Sequence, residues 1–418
     1  MSSEPVSRRR VFYIPGYDPI HPRRYRELYR SESADQAAIS GYEIALKPAP
    51  KGEHYGWQVD ALIDGQSVHA DVDVLVWSDI VRSSMNSSIP ATYAQLVTTA
   101  WTYITSGALR RLMRLRKGPV IAALYPVAAL ILQLVLALLA GHVVGKLLMW
   151  STSWIPLGPV FRNVMDNLLY WPVLLGLAIY LLRWFKSKDG KFFAYYLMHD
   201  YAYSAQLKGA NPPELEERIA QFRDVIATAM TSDVDEVLVV GHSSGAHLAV
   251  SILADLIRER EAAASPSAHR PALSFLSLGQ VVPMMSFLPE AKRLRADLRY
   301  LSTSDALAWV DVTAPGDGCA FALCDPVAVS GVAPEGKRWP LVFSAAFTQT
   351  LSPERWGALR WKFFRLHFQY LCAFDRPRDY DYFQITAGPV SLGTRYAGRR
   401  ASRSRIDVPV SKYTSVAA

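Results

Sequence analysis

Apolar and polar positions alternate, or run apolar over a few residues, at 42–48, 55–64 and 67–78. That period predicts strands, and Asp64-Gly65 between the last two predicts a hairpin turn. Earlier, Val11-Phe-Tyr-Ile ends in Pro15-Gly16 and reads as a strand leaving into a turn, followed by a basic helical stretch at 22–38. Further on, strand-like runs near 237–241, 273–282, 307–313 and 340–346 are separated by helical stretches, among them 191–206, 213–230, 246–261 and 354–373. Asn211-Pro-Pro-Glu announces the helix at 213. Strands alternating with helices predict a mainly parallel sheet with helices on both faces.

Between these halves the pattern changes. No formal charge occurs from Gly118 to Gly145. At about 1.5 Å per residue this run exceeds the roughly 30 Å of a bilayer's hydrocarbon. Pro126 near one end is a kink that a membrane helix tolerates. A second run, Leu168 to Phe185, is about 17 residues long, the short end for a span, and a re-entrant segment competes with a crossing. Both α/β halves must meet in one domain, so the crossings are even in number. Arg110, Arg111, Arg114, Arg116 and Lys117 precede the first run; Arg183, Lys186, Lys188 and Lys191 follow the second; Lys146 and Arg162 lie in the connection. By the positive-inside rule both halves and both termini are cytoplasmic, on an inner or plasma membrane. Trp150, Trp154, Tyr170 and Trp171 suit the far interface. Residues 90–113 carry apolar side chains at helical spacing and read as a surface-lying amphipathic helix, with a core helix as the alternative.

The expected organisation is a flexible N-terminus at 1–9 and a first α/β segment at 10–89. An insertion at 90–190 holds the amphipathic helix and a two-helix transmembrane hairpin (about 119–146 and 168–185). A second α/β segment follows at 191–394, with a basic, disordered tail at 395–418. Composition supports the hairpin: half of the 418 residues are hydrophobic, and the mean hydropathy is +0.08. The net charge is +8, and the basic residues cluster at 8–10, 110–117, 183–191 and 395–405; two of these clusters flank apolar runs, which favours anionic lipid as partner, and no nucleic-acid signature is present. The three cysteines, Cys319, Cys324 and Cys372, do not form a disulfide or metal pattern, and neither a cofactor nor a metal is expected. Met-Ser-Ser-Glu-Pro begins without an apolar region and reads as no secretory signal.

The candidate chemistry centres on Val237-Leu-Val-Val-Gly-His-Ser-Ser-Gly-Ala-His-Leu-Ala. A valine-rich strand meets Gly-x-Ser-x-Gly and turns into a small-residue helix. This is the context of a nucleophile elbow with Ser243 at its tip. Gly241 and Gly245 avoid a collision across the turn, and the Ser244 N–H points at a developing oxyanion. A serine needs a base, oriented by a carboxylate. In the chain order Ser…Asp…His, His367 is the one histidine beyond residue 269. Asp317, in Ala314-Pro-Gly-Asp-Gly-Cys after the strand at 307–313, is the favoured acid; Asp325 and then Asp311 stand behind it. Gly16 and Tyr17, after the first strand, supply a second oxyanion donor. Asp79, His199 and Asp200 are weaker pocket candidates, and His242 and His247 suit packing or pocket shape.

With these residues the chain resembles the α/β-hydrolase superfamily, over about residues 10–80 and 190–390. The likeness rests on Gly241-His-Ser-Ser-Gly-Ala-His-Leu-Ala and on the early strand with its Pro-Gly turn. It implies an eight-stranded-type sheet, a Ser–Asp–His triad and hydrolysis through an acyl-enzyme. Two features depart from the family pattern: Pro15 replaces a common histidine before the glycine, and the insertion precedes the elbow strand. The expected function is a membrane-anchored serine hydrolase (esterase, lipase or thioesterase) acting on acyl-ester or lipid-like substrates. The alternative is a catalytically silent hydrolase-like tether or scaffold.

Overall fold

A computed structural model describes residues 5–49, 54–263 and 271–417. Eight strands form one sheet: β1 (Arg8–Ile14), β2 (Glu43–Pro48), β3 (Tyr55–Ile63), β4 (Gln66–Val74), β5 (Glu236–His242), β6 (Ala272–Leu278), β7 (Ala308–Thr313) and β8 (Leu341–Ser344). Their order is β2-β3-β4-β1-β5-β6-β7-β8. β3 runs antiparallel to both its neighbours, and every other pairing is parallel. The fold is therefore α/β, with a mostly parallel mixed sheet. The central strands β5 and β7 are buried along their whole length, as their near-continuous apolar sequences require.

Register explains which residues share a face. Tyr13, Val240, Leu276 and Val310 stand side by side across β1, β5, β6 and β7. All four belong to a core cluster with Tyr25 and Tyr29 of helix Arg23–Ser40 and with Tyr370, Tyr382 and Phe383. Helix Gly245–Ala262 packs on β5 and β1 between helices Pro213–Ala229 and Lys292–Leu301, and none of its side chains enters that cluster.

The chain divides into two compact units. The first holds the sheet and comprises residues 1–83, 102–120 and 204–418; the second comprises 84–101 and 121–203. The second unit contains two helices long and apolar enough to cross a membrane, Lys117–Ser151 (35 residues) and Pro159–Ser187 (29 residues), the first beginning in the sheet unit. Only 22% and 17% of their most apolar windows are buried, unlike the core helix of a soluble protein. They meet along a small-residue seam. A Cβ on Gly141 would stand 2.6 Å from the Leu174 carbonyl, and one on Gly145 would stand 2.8 Å from the Tyr170 ring. Glycine at these positions lets the two helices approach this closely.

Several boundaries differ from the sequence reading. The second apolar helix starts nine residues before Leu168, at Pro159, because the polar stretch around Asn163 and Asn167 stays helical and Asn167 bonds back to Asn163. Residues 90–113 are two helices, Ile89–Thr105 and Ala108–Leu115, broken at Gly107 with φ +75°. Helix Ala194–Ala205 belongs to the second unit, since Tyr195, Met198 and Ala202 pack on Leu96 and Leu130. The N-terminus is fixed rather than flexible over residues 5–9; its first four residues lie outside the described ones. Arg9 is fully buried, with Nε 2.6 Å from Glu236 Oε2 and its other nitrogens donating to the Gly388 and Val390 carbonyls. The basic tail is also held. Ser402, Ile406 and Val410 donate backbone bonds to Val342, Leu323 and Val329, and Arg295 binds the Ser415 carbonyl. Composition gave no sign of these long-range acceptors.

Candidate active site

The sharp turn after β5 is set by backbone crowding. Ser243 has φ +56°, a left-handed conformation that costs a side-chain-bearing residue about 1–2 kcal/mol. The turn then runs straight into helix Gly245–Ala262, with Ser244 as its N-cap. A Cβ on Gly245 would stand 2.1 Å from the Ile14 carbonyl oxygen, and one on Gly241 would stand 2.7 Å from Ala246 Cα. Both positions therefore require glycine. Ser243 N–H donates to the Leu278 carbonyl at 2.9 Å, tying the tip to the end of β6.

The loop after β1 passes beside the serine. A Cβ on Gly16 would lie 2.9 Å from Ser243 Cβ and 3.4 Å from its Oγ, so only glycine leaves the hydroxyl its space. Trp77 holds this loop by donating its indole N–H to the Pro15 carbonyl at 2.9 Å and by edge contact with the buried Tyr17. Gly16, Tyr17, Ser243 and Ser244 are thus neighbours at the carboxyl ends of β1 and β5, where parallel sheets gather ligands.

Asp317, in the turn after β7, and His367, at the end of helix Phe363–His367, are brought together across 50 residues. His367 Nδ1 lies 2.7 Å from Asp317 Oδ2. A carboxylate can only accept, so Nδ1 carries a proton, and Nε2 is the nitrogen left to face a partner. Asp317 is buried, and its turn is closed by its own N–H to Ala314. Burial alone would raise its pKa, but His367, the Cys319 N–H and the Tyr370 hydroxyl outweigh burial and hold the carboxyl below its ordinary value. Tyr370 donates to Asp317 Oδ2 at 3.0 Å and accepts from Ala314 N–H at 2.9 Å. Burial and the adjacent carboxylate push the Tyr370 hydroxyl well up, which keeps it a donor.

The serine and the imidazole border the same short segment. Leu278 accepts from Ser243 N–H, and a Cβ on the next residue, Gly279, would stand 3.0 Å from His367 Cε1. The His242 ring lies 4.8 Å from the His367 ring. His242 Nε2 is 3.0 Å from the His367 carbonyl, which makes Nε2 the protonated nitrogen, and Tyr13 reaches Nδ1. Burial, with His367 beside it, pushes His242 down to about 3, so it is neutral and cannot compete as base. Among the described residues, no hydrogen bond joins Ser243 Oγ to His367.

The other carboxylates are occupied elsewhere. Asp325 caps the turn Pro326–Val329 through Val327 and Ala328 N–H and pairs with Lys337 at 2.6 Å. Asp311 lies inside β7 and accepts from Ser277, and burial pushes it up to about 8. Asp79 is bound by both terminal nitrogens of Arg218. His247 is buried and pushed down to about 4, and its Nδ1 has no partner. His199, in the second unit, bonds to Gln95. Asp317, Cys319 and His367 offer metal-ligand atoms within 4.8 Å of one another. The direct imidazole–carboxylate bond fits a shared proton better than a cation between them.

Tyr370, Trp77 and Gly279 complete the site and were not found by sequence. Tyr370 follows His367 by three residues, which is the one local signal it carries. The aromatic hollow lined by Tyr13, Tyr25, Tyr29 and Trp57 contains neither Ser243 nor His367 and is packing within the core. Comparison of the chain with family models, with curated proteins and with solved structures finds no match.

Proposed function

We propose that the chain is a serine hydrolase of the α/β-hydrolase type, anchored in a membrane by its two apolar helices and cleaving acyl esters or thioesters. One observation carries this reading: a serine at φ +56° on a strand-to-helix turn borders the same Leu278–Gly279 segment as an imidazole whose Nδ1 is held by a buried carboxylate. In the proposed reaction His367 Nε2 takes the Ser243 proton as Oγ attacks the acyl carbonyl. The N–H groups of Ser244 and Tyr17 receive the oxyanion, and His367 returns the proton to the leaving alcohol or thiol. Water then attacks the acyl-enzyme by the same route. Asp317 stabilises the imidazolium and fixes its tautomer, and Tyr370 fixes Asp317.

The basic clusters flanking the two helices support cytoplasmic placement of the sheet unit. Anchoring puts the serine near acyl lipids, which favours a lipid-like substrate. The unmade Ser243–His367 bond favours the scaffold alternative, although this contact is often long before substrate binds. A fluorophosphonate probe separates the two. The hydrolase reading requires labelling of the wild type in membranes and none of Ser243→Ala; folded wild type that stays unlabelled establishes the scaffold.

A further inference from the structure

The turn that carries Asp317 is gripped from two sides by features with a lipid character. A Cβ on Gly118, in the first turn of the first apolar helix, would stand 3.1 Å from the Gly318 carbonyl oxygen. Arg116, just before that helix, donates to the Ala322 carbonyl of the same loop at 2.7 Å. On the other side, a Cβ on Gly318 would meet the Phe363 ring at 3.2 Å. Phe363 belongs to the stretch Arg360-Trp-Lys-Phe-Phe-Arg, which immediately precedes His367.

This stretch is exposed in an unusual way. Trp361 is 73% exposed and Phe363 is 50% exposed. They alternate with Arg360, Lys362 and Arg365, and no acidic residue occurs between Glu354 and Asp375. Among the described residues, none of these three cations has an ion-pair partner. Exposed aromatics are ordinary one at a time. Two of them, interleaved with cations outside any ion pair, Arg360 lying 5.6 Å over the Trp361 ring, match the chemistry of a headgroup layer beside the start of an apolar helix. Tryptophan settles at the membrane interface, and each nearby cation strengthens attraction to an anionic leaflet about fivefold.

We propose that segment 360–365, the turn and first helical residues before His367, is a second membrane contact, seated in the anionic headgroup layer of the same leaflet that the first apolar helix enters. The inference rests on the membrane reading of the hairpin and deepens the hydrolase reading. It places the Asp317–His367 edge of the site at the lipid surface, so the substrate class is an acyl lipid resident in that leaflet. No new bond chemistry is needed.

The test uses the full chain reconstituted in vesicles of acyl-brominated phosphatidylcholine, with or without phosphatidylglycerol. Bromine quenches tryptophans that reach the interface. Trp361 is read as the difference between wild type and Trp361→Phe, because the chain has 11 tryptophans. The proposal requires that Trp361 be quenched, and that combined Arg360→Glu, Lys362→Glu and Arg365→Glu halve that quenching or more on anionic vesicles. Equal quenching of wild type and Trp361→Phe overturns it, while the shared quenching from Trp154 and Trp171 still marks the hairpin as embedded. Absence of quenching in every variant overturns the hairpin reading as well. Repeating the measurement in Ser243→Ala separates it from catalysis: quenching there is expected unchanged whether or not the serine is active.

Discussion

The two ends of the candidate site are held by different physics. At the Ser243 end the backbone is the constraint. Gly16, Gly241 and Gly245 stand where a single methyl would meet a carbonyl oxygen, a Cα or the nucleophile's own side chain, and Ser243 is held at positive φ. At the Asp317 end the crowding is against side chains rather than backbone: a Cβ on Gly316 would stand 2.6 Å from the Trp356 ring and one on Gly279 2.8 Å from the Tyr370 ring. The carboxylate is placed by hydrogen bonds from the His367 and Tyr370 side chains, which an isosteric residue would lack, and from the Cys319 backbone N–H. The first end should therefore fail by steric intrusion, and the second by isosteric loss of a proton donor or acceptor. That contrast makes the two ends separable by mutation.

The largest expected effect is at the polar end. Asp317→Asn keeps the shape but presents an amide to His367, favouring the wrong tautomer; kcat should fall about 10⁴-fold with folding retained. Asp325→Asn is the matched control. It should weaken the Lys337 pair and cost about 2 kcal/mol in denaturant unfolding, with turnover per folded molecule unchanged. Reversed outcomes for the two aspartates would assign the acid to Asp325.

Next is intrusion at the crowded end. Gly245→Ala places a methyl 2.1 Å from the Ile14 carbonyl oxygen, so β1 or the elbow must move. A loss of about 3 kcal/mol or more in thermal or chemical unfolding is expected. Tolerance of this alanine without loss of stability would refute the steric account of the turn. Tyr370→Phe should do less. It removes one donor to Asp317 and leaves Ala314 N–H buried without its acceptor, at about 1–3 kcal/mol, with a roughly tenfold fall in kcat.

The smallest effect concerns pH and stability, measured by denaturant titration from pH 4 to pH 7. His247 has its folded-state pKa pushed by burial from 6.5 down to about 4. The unfolded chain therefore takes up a proton that the folded chain refuses. The contribution is fully present above pH 6.5 and is lost as pH falls toward 4. His247→Leu should flatten the stability slope in that window by one proton's worth. An unchanged slope would show that His247 is charged or hydrated in the folded protein. His242 contributes with the same sign down to about 3.

The same contrast governs how much was legible in the sequence. The Ser243 turn was, because a valine strand, two glycines and a small-residue helix write it locally, although the Ile14 carbonyl that excludes a side chain at Gly245 and the Leu278 carbonyl that accepts from Ser243 N–H are distant in sequence. The sheet was legible in outline from its periodicity. The proposed acid and base were chosen by position, Asp317 by following β7 and His367 as the last histidine, and the structure brings the two side chains within 2.7 Å. Tyr370 was not, since its bond to Asp317 spans 53 residues and leaves no periodic trace. The same holds for Trp77 on the Pro15 carbonyl. The basic tail looked disordered because its composition is polar, yet its backbone groups find acceptors on Leu323, Val329 and Val342.

The central claim is that Ser243 becomes an acyl carrier. Intact-mass and peptide measurements on the full chain in membranes, quenched with acid shortly after mixing with a p-nitrophenyl acyl ester, test it most directly. The account predicts one added acyl group, on Ser243, formed in the wild type and absent from Ser243→Ala. Folded wild type that releases no nitrophenol and carries no adduct, or that carries it on another residue, would contradict the account.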